Sequence, residues 1–152
     1  MKKIVLSILC VVQCFSLRGD LLGRDTALSS YEAIKNLIDT MPVPNLNTLI
    51  PQISAFARKY NLQNHDMWIS FLTRSLELSG VFKEIYQCGA KNAFNTLAKD
   101  YKASIDEKIA KLDRDIKAIQ GSTFTSREKR FPLELYRAFI ARLKNEIEKF
   151  KF

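Results

Sequence analysis

The chain has 152 residues, and its 24 Lys and Arg outnumber its 16 Asp and Glu to give a formal net charge of +8. This length suits one domain with one hydrophobic core. The chain has one histidine, three cysteines and five glycines. It contains no His-Glu-x-x-His pattern, no paired metal-ligand cysteines and no phosphate-cradling glycine loop, which excludes the common motifs for a metal or nucleotide site.

The first residues have the features of a secretory signal peptide. Lys2 and Lys3 precede an apolar run over residues 4–12, and small Ser16 follows at the distance expected for cleavage. The run is far shorter than the roughly 20 residues that cross a bilayer. We therefore expect residues 1–16 to be removed, and the mature protein to be secreted, extracellular and not stably inserted in a membrane. Loss of Lys2 and Lys3 leaves 22 basic against 16 acidic residues, a net charge of +6.

One cysteine, Cys88, remains after this cleavage, so the mature domain cannot be a disulfide scaffold. A free cysteine usually packs like a small hydrophobic residue, and we expect Cys88 to be a buried thiol in a monomer. A dimer linked through Cys88 is the alternative.

Apolar residues recur every three or four positions through the mature chain, a spacing that predicts α-helices. Residues 17–28 are expected to form a flexible tail, and residues 29–152 a helical domain. Ser29 and Glu32 match a capping box, in which each side chain bonds a free backbone N–H of the other, at the start of the first helix.

Proline and glycine mark the boundaries of the next helices. Pro42 begins the Pro-Val-Pro sequence that ends the first helix. A second helix is predicted over residues 48–60, with Pro51 in its first turn, where a missing N–H is tolerated. Asn64 is a candidate cap for a third helix, which Gly80 and Gly89 are expected to bend or break.

The two most regular apolar seams lie in the C-terminal half of the chain. A fourth helix is predicted over residues 91–120 and ends at Gly121, and a fifth begins near Pro132. Each carries five apolar residues at alternating spacings of four and three, which predicts an antiparallel helical hairpin. The fold is therefore expected to be an all-α, single-domain antiparallel bundle of about five helices with a long C-terminal hairpin. The seams are Ile105, Ile109, Leu112, Ile116 and Ile119 in the fourth helix, and Tyr136, Ile140, Leu143, Ile147 and Phe150 in the fifth.

Few side chains in the sequence are suited to catalysis. His65 is the only histidine, and Cys88 is the only candidate nucleophile of the mature chain. A nucleophile needs a base and a group that orients the base, and nothing in the spacing links these two residues. We predict a protein that is not an enzyme, with no catalytic residue, no cofactor and no metal site.

The basic excess is concentrated near the C-terminus. Residues 127–151 carry eight basic and four acidic side chains, a local charge of +4. Six of the basic residues lie off the apolar seam of the fifth helix or in the segment before it, so they are the candidate contact surface for an extracellular protein partner. Nucleic-acid binding is not expected of an exported chain without an aromatic and basic surface motif. The six are Arg127, Lys129, Arg130, Arg137, Arg142 and Lys144.

Three alternatives to a simple binding protein remain open in the sequence. The tripeptide Arg18-Gly19-Asp20 matches the one that some integrin ligands display. The tetrapeptide Arg127-Glu128-Lys129-Arg130 matches the dibasic pattern of secretory convertases, and a cut after Arg130 would release a cationic amphipathic peptide of 22 residues. An internal cavity lined by phenylalanines would make the bundle a carrier of a lipid or small ligand.

Several of these features together resemble a known family. The octapeptide Phe-Leu-Thr-Arg-Ser-Leu-Glu-Leu at residues 71–78, the tripeptide Tyr-Gln-Cys at 86–88 and the helix over residues 99–119 carry the resemblance, which spans about half of the chain. They look like small helical salivary proteins of blood-feeding mosquitoes, in particular the anopheline salivary gland protein seven family. The resemblance implies inhibition or modulation of a host defence protein by protein–protein contact, either the alternative-pathway complement convertase or a protein of haemostasis.

Overall fold

The computed structural model describes residues 23–151, of which residues 23–25 and Phe124 are described by their backbone alone. Within this range 86% of the residues are helical and no strand is present, which confirms the predicted all-α bundle. The predicted signal peptide (1–16), the first part of the predicted tail and the Arg18-Gly19-Asp20 tripeptide lie outside the described residues. The elements are α1 (Gly23–Thr40), a 3-10 helix (Val43–Leu49), α2 (Ile50–Lys59), α3 (His65–Gln87), α4 (Lys91–Ala118) and α5 (Phe124–Glu148).

Helices α1, α3 and α5 run in the same direction. Early in α1, Tyr31 Oη donates a hydrogen bond to Glu134 Oε2 on the first half of α5. Near the end of α1, the Ile38 carbonyl accepts from Arg142, which is eight residues further along α5. The pairs Trp68–Tyr136 and Tyr86–Phe150 show the same sense between α3 and the C-terminal part of the chain. The 3-10 helix together with α2 runs in the opposite direction between α1 and α3, and α4 does so between α3 and α5.

Helices α4 and α5 form the predicted antiparallel hairpin. Arg137 Nε lies 2.6 Å from Asp113 Oδ1, and Lys144 Nζ lies 2.6 Å from Asp106 Oδ1. From the first pair to the second, the chain advances seven residues along α5 and moves back seven along α4, as an antiparallel heptad pairing requires. The seam residues that are fully buried are Ile105, Leu112, Tyr136, Ile140, Leu143 and Ile147, whereas Ile109, Ile116, Ile119 and Phe150 are half-buried.

Helix α5 is the central helix of the bundle and contacts each of the other four. Its N-terminal half is apolar on several sides, because buried side chains follow one another without helical spacing from Phe131 to Ile140. Phe131 stacks on Tyr31 of α1 with ring centroids 4.3 Å apart, and Tyr136 stacks on Trp68 of α3 at 5.9 Å. One neighbouring helix cannot cover a segment of this kind, so the other helices surround it.

The predicted start of the first helix is wrong. Helix α1 begins at Gly23, so residues 23–28 are helical and the predicted flexible tail does not include them. Ala27 is completely buried and Ser30 is 7% exposed, so packing against the core holds the first turns of the helix in place. Ser29 lies inside the helix and therefore cannot cap it.

The predicted start of the fifth helix is also wrong. Helix α5 begins at Phe124, where the Thr123 side chain accepts a hydrogen bond from the Ser126 N–H at 3.3 Å. Pro132 therefore lies inside the helix rather than at its first turn. Proline removes one backbone hydrogen bond there, and the burial of neighbouring Phe131 and Leu133 offsets that loss.

The other helix boundaries follow the sequence more closely. Pro51 lies in the first turn of α2, as predicted, but a 3-10 helix precedes this turn. Asn64 is the residue before α3, yet it has a left-handed backbone (φ 61°) and its side chain makes no capping bond. Gly89 ends the α3 turn at φ 72°, and Gly121 lies beyond the end of α4 at φ 109°; glycine readily adopts both conformations.

Truncation of the hairpin seam tests this core. Leu112 and Leu143 are both completely buried, so Leu112→Ala and Leu143→Ala should each lower the free energy of unfolding by about 2–5 kcal/mol. Denaturant titration followed by circular dichroism measures the loss. A loss below about 1 kcal/mol for both variants would contradict the hairpin packing.

Buried tyrosines predict that the fold weakens at high pH. Burial raises the pKa of Tyr31, Tyr101 and Tyr136, and burial together with nearby Glu128 raises the pKa of Tyr60 to about 12. The unfolded chain ionises near pH 10, so the stability is complete below pH 10 and falls as the pH rises towards 12. Thermal melts from pH 8 to 12, with tyrosinate absorbance recorded together, measure this decline. A melting temperature that stays constant to pH 11.5 would contradict it.

Candidate functional site

Three of the six predicted contact residues point towards α4. Arg130, Arg137 and Lys144 are seven residues apart, so they lie on one face of α5. Arg130 donates to the Ile119 and Gly121 carbonyls at the end of α4, at 3.2 and 3.3 Å. Arg137 and Lys144 bind the two aspartates of α4 described above. This stripe follows the register of the hairpin, and most of its charge is neutralised within the fold.

Arg142 faces α1 and is largely enclosed. Its guanidinium donates to the Ile38 carbonyl at 3.1 Å and to the Asp39 carbonyl at 2.6 Å, and Nε lies 3.3 Å from Glu146 Oε1. Its side chain is 19% exposed. A cation at the C-terminal end of a helix satisfies free carbonyls and interacts favourably with the helix dipole. Arg142 therefore joins the end of α1 to α5.

Arg127 and Lys129 remain as exposed cations of the predicted surface. Neither makes an ion pair with a side chain in the described part of the chain. Four of the six make contacts within the fold that the sequence does not reveal, because Arg130, Arg137, Arg142 and Lys144 bind residues outside α5.

The pKa shifts near α5 agree with these contacts. The hydrogen bond to Asp106 raises the pKa of Lys144. The hydrogen bond from Lys149, with a smaller contribution from Arg142, lowers the pKa of Glu146. Both shifts favour the charged form, of Lys144 in the first pair and of Glu146 in the second.

The predicted burial of Cys88 is wrong. Its thiol is free and exposed at the end of α3. It lies seven residues after Val81, which is itself 42% exposed, so it continues the solvent-facing side of the helix. His65 lies at the opposite end of α3, about 34 Å away along the helix axis at 1.5 Å per residue. The two residues cannot act as a nucleophile and its base.

An apolar surface on α3 and α4 was not recognised from the sequence. The large hydrophobic residues that are exposed in the described part of the chain are Met67 (41%), Val81 (42%) and Leu97 (36%). Met67 and Val81 are two heptads apart and share one face of α3 with Arg74 between them. We call this set, Met67, Arg74, Val81 and Leu97, the outer face.

Val81 and Leu97 lie at the same level of two neighbouring helices, α3 and α4. Lys108 lies over the Phe71 ring, and Phe82 packs on Phe94, so the two helices are antiparallel. Ten residues forward from Phe71 lies Val81, and eleven residues back from Lys108 lies Leu97. The two exposed side chains are therefore level along the bundle. Half-buried Leu78 and Ile85 extend the apolar surface along α3.

A groove with a volume of about 820 Å³ opens between three elements of the bundle. One wall comes from residues 42–50, which include the 3-10 helix, and the floor from α3 between residues 73 and 83. Arg142, Glu146 and Phe150 form the third side. The groove is open to solvent and touches one phenylalanine, whereas Phe56, Phe82, Phe94, Phe131 and Phe139 fill the core. This groove is therefore not the phenylalanine-lined cavity that the sequence suggested.

Across residues 23–151, no group of three His, Cys, Asp or Glu side chains is placed to hold a metal ion. None of the helices in that range is both long enough and apolar enough to cross a membrane. Comparisons of the chain with protein-family models, curated proteins and solved structures return no match.

Replacing Arg142 and Arg127 one at a time compares a cation that binds another helix with an exposed cation. Arg142→Ala should lower the free energy of unfolding by about 1.5–3 kcal/mol, because it removes charged hydrogen bonds at the end of α1. The matched variant Arg127→Ala should change it by less than about 0.5 kcal/mol. Urea titration of both variants measures the difference. Equal stabilities would show that the Arg142 contacts contribute nothing.

Proposed function

We propose that this protein is a secreted, non-enzymatic binding protein that inhibits or modulates an extracellular host defence protein. The resemblance of residues 71–78, 86–88 and 99–119 to mosquito salivary proteins points to the alternative-pathway complement convertase as the first target to test. The single observation that carries a binding role is the outer face, on which the exposed large apolar side chains of α3 and α4 lie, with Val81 and Leu97 at the same level.

The outer face has the composition of a protein contact. Met and Arg are enriched at protein interfaces, and Met67, Arg74 and Val81 follow one line of about 21 Å along α3. Single exposed hydrophobic residues are ordinary on soluble proteins, but Val81 and Leu97 are level with each other and continuous with half-buried neighbours. A partner that covers this patch would gain apolar burial at no cost to the core.

Helix α5 supports this proposal better than it supports the release of a peptide. Residues 127–130 are helical rather than part of a loop, and Phe131, the residue after the proposed cut, is 2% exposed. Convertase cleavage after Arg130 would require unfolding of the central helix. Intact mass spectrometry of the secreted protein is the direct control, because a species ending at Arg130 would favour the precursor.

The outer face and the remaining cations can be compared in one binding experiment. The mature chain is first assayed for inhibition of the alternative-pathway convertase and used to capture partners from host plasma. The triple variant Met67→Ser, Val81→Ser, Leu97→Ser should weaken binding to the identified partner at least tenfold, because apolar anchors dominate interface energies. The double variant Arg127→Ser, Lys129→Ser should mainly slow association and change affinity less than threefold.

Both variants should keep the helicity of the parent and remain folded, since none of the replaced side chains belongs to the buried core. Undiminished binding by the triple variant would place the contact elsewhere on the bundle. Absence of convertase inhibition would remove complement as the target, and absence of any plasma partner would overturn the binding role.

A further inference from the structure

Gly80 lies in the middle of α3, where the fold gives no reason for a glycine. Its backbone continues the helix through Gln87. A Cβ at this position would meet no other atom within 4 Å, so neither backbone conformation nor close packing requires the missing side chain. Glycine is the least favourable residue after proline in a helix interior. An open floor at this position keeps space for a molecule that lies over the helix.

Gly80 forms part of the floor of the groove described above. Apolar side chains from two directions stand beside it, namely Val43 and Ile50 on one wall and Phe150 on another. The volume of about 820 Å³ falls within the range of small-molecule sites. The groove therefore matches the apolar part of a small ligand.

The groove lining holds the cations Lys83 and Arg142 together with Glu77 and Glu146, so the charge at each point depends on how these groups are paired. Lys83, one turn before the Tyr86 ring that packs on Phe150, lines the groove and makes no ion pair with a described residue. Glu146 also lines it, but its carboxylate lies between Arg142 and Lys149. Glu77 lies about 9 Å further back along α3 and about 120° around it, at the other edge. The Lys83 ammonium is therefore placed to pair with a negatively charged head group.

We propose that this groove binds a single-chain amphiphile with a carboxylate head group, the apolar chain lying over Gly80 and the carboxylate next to Lys83. This activity goes beyond the proposed protein contact and does not depend on it, because the groove and the outer face use different sides of α3.

A fluorescent fatty acid, 11-(dansylamino)undecanoic acid, tests the site in the full mature chain. Saturable binding of one probe per chain is expected, and Gly80→Leu should weaken it at least tenfold by filling the floor. Gly80→Ala should raise the melting temperature by about 2–4 °C while it weakens probe binding, a combination that a purely structural glycine would not produce. This second variant also serves if Gly80→Leu fails to fold.

The alcohol with the same chain and fluorophore serves as the matched uncharged probe. The parent protein should bind the carboxylate at least fivefold more tightly than the alcohol, and Lys83→Gln should abolish that preference. Lys99→Gln, at an exposed position on α4, should leave it unchanged. Absence of saturable binding, or unchanged affinity in both Gly80 variants, would overturn the site. A carboxylate preference that survives Lys83→Gln would overturn the assignment of the head group.

Discussion

The rest of the structure depends on the burial of α5. Seven of the ten residues from 131 to 140 are buried, so this part of the helix has apolar side chains on several sides. Burial of each large apolar side chain contributes about 1.5–3 kcal/mol before entropic costs, and a single partner helix would leave much of this surface in water. The other four helices are arranged around α5, and α1 and α3 run parallel to it because reversing elements separate them along the chain.

This central position also determines what the charges on α5 can do. When a helix is surrounded by others, its charged side chains can reach solvent only between two neighbouring helices. There they contact the ends of those helices and their carboxylates. Arg130 and Arg142 bind carbonyls at the ends of α4 and α1, while Arg137 and Lys144 pair with aspartates of α4. Four of the six predicted contact residues therefore join α5 to its neighbouring helices.

Features that depend on spacing within one helix could be predicted from the sequence, and features that depend on the identity of a neighbour could not. The heptad seams of α4 and α5 are local patterns, and they predicted the hairpin. Pro132 misled the boundary of α5, because its tolerance inside the helix depends on the burial of Phe131 and Leu133. The ion pairs of Arg137 and Lys144 could not be predicted from spacing, because their partners are 24 and 38 residues away in the chain. Cys88 was wrongly predicted to be buried because the prediction used its residue type, whereas its seven-residue spacing from exposed Val81 places it on the solvent-facing side of α3.

Helix α3 differs from α5 because other helices do not surround it. One side of α3 packs in the core, and its other sides face solvent. Successive residues on an α-helix point about 100° apart. Gly80 therefore opens towards the groove, while Val81, the next residue, points to the outer face and Phe82 to the core. Phe82 packs on Phe94 and Tyr101 of α4, which holds this part of α3 in place. The groove and the outer face lie on different sides of α3. A ligand in the groove and a protein on the outer face can therefore be bound at the same time. A side chain added at Gly80 meets the groove alone, and one removed at Val81 changes the outer face alone, so the sequence of α3 itself allows each proposed activity to be altered without the other.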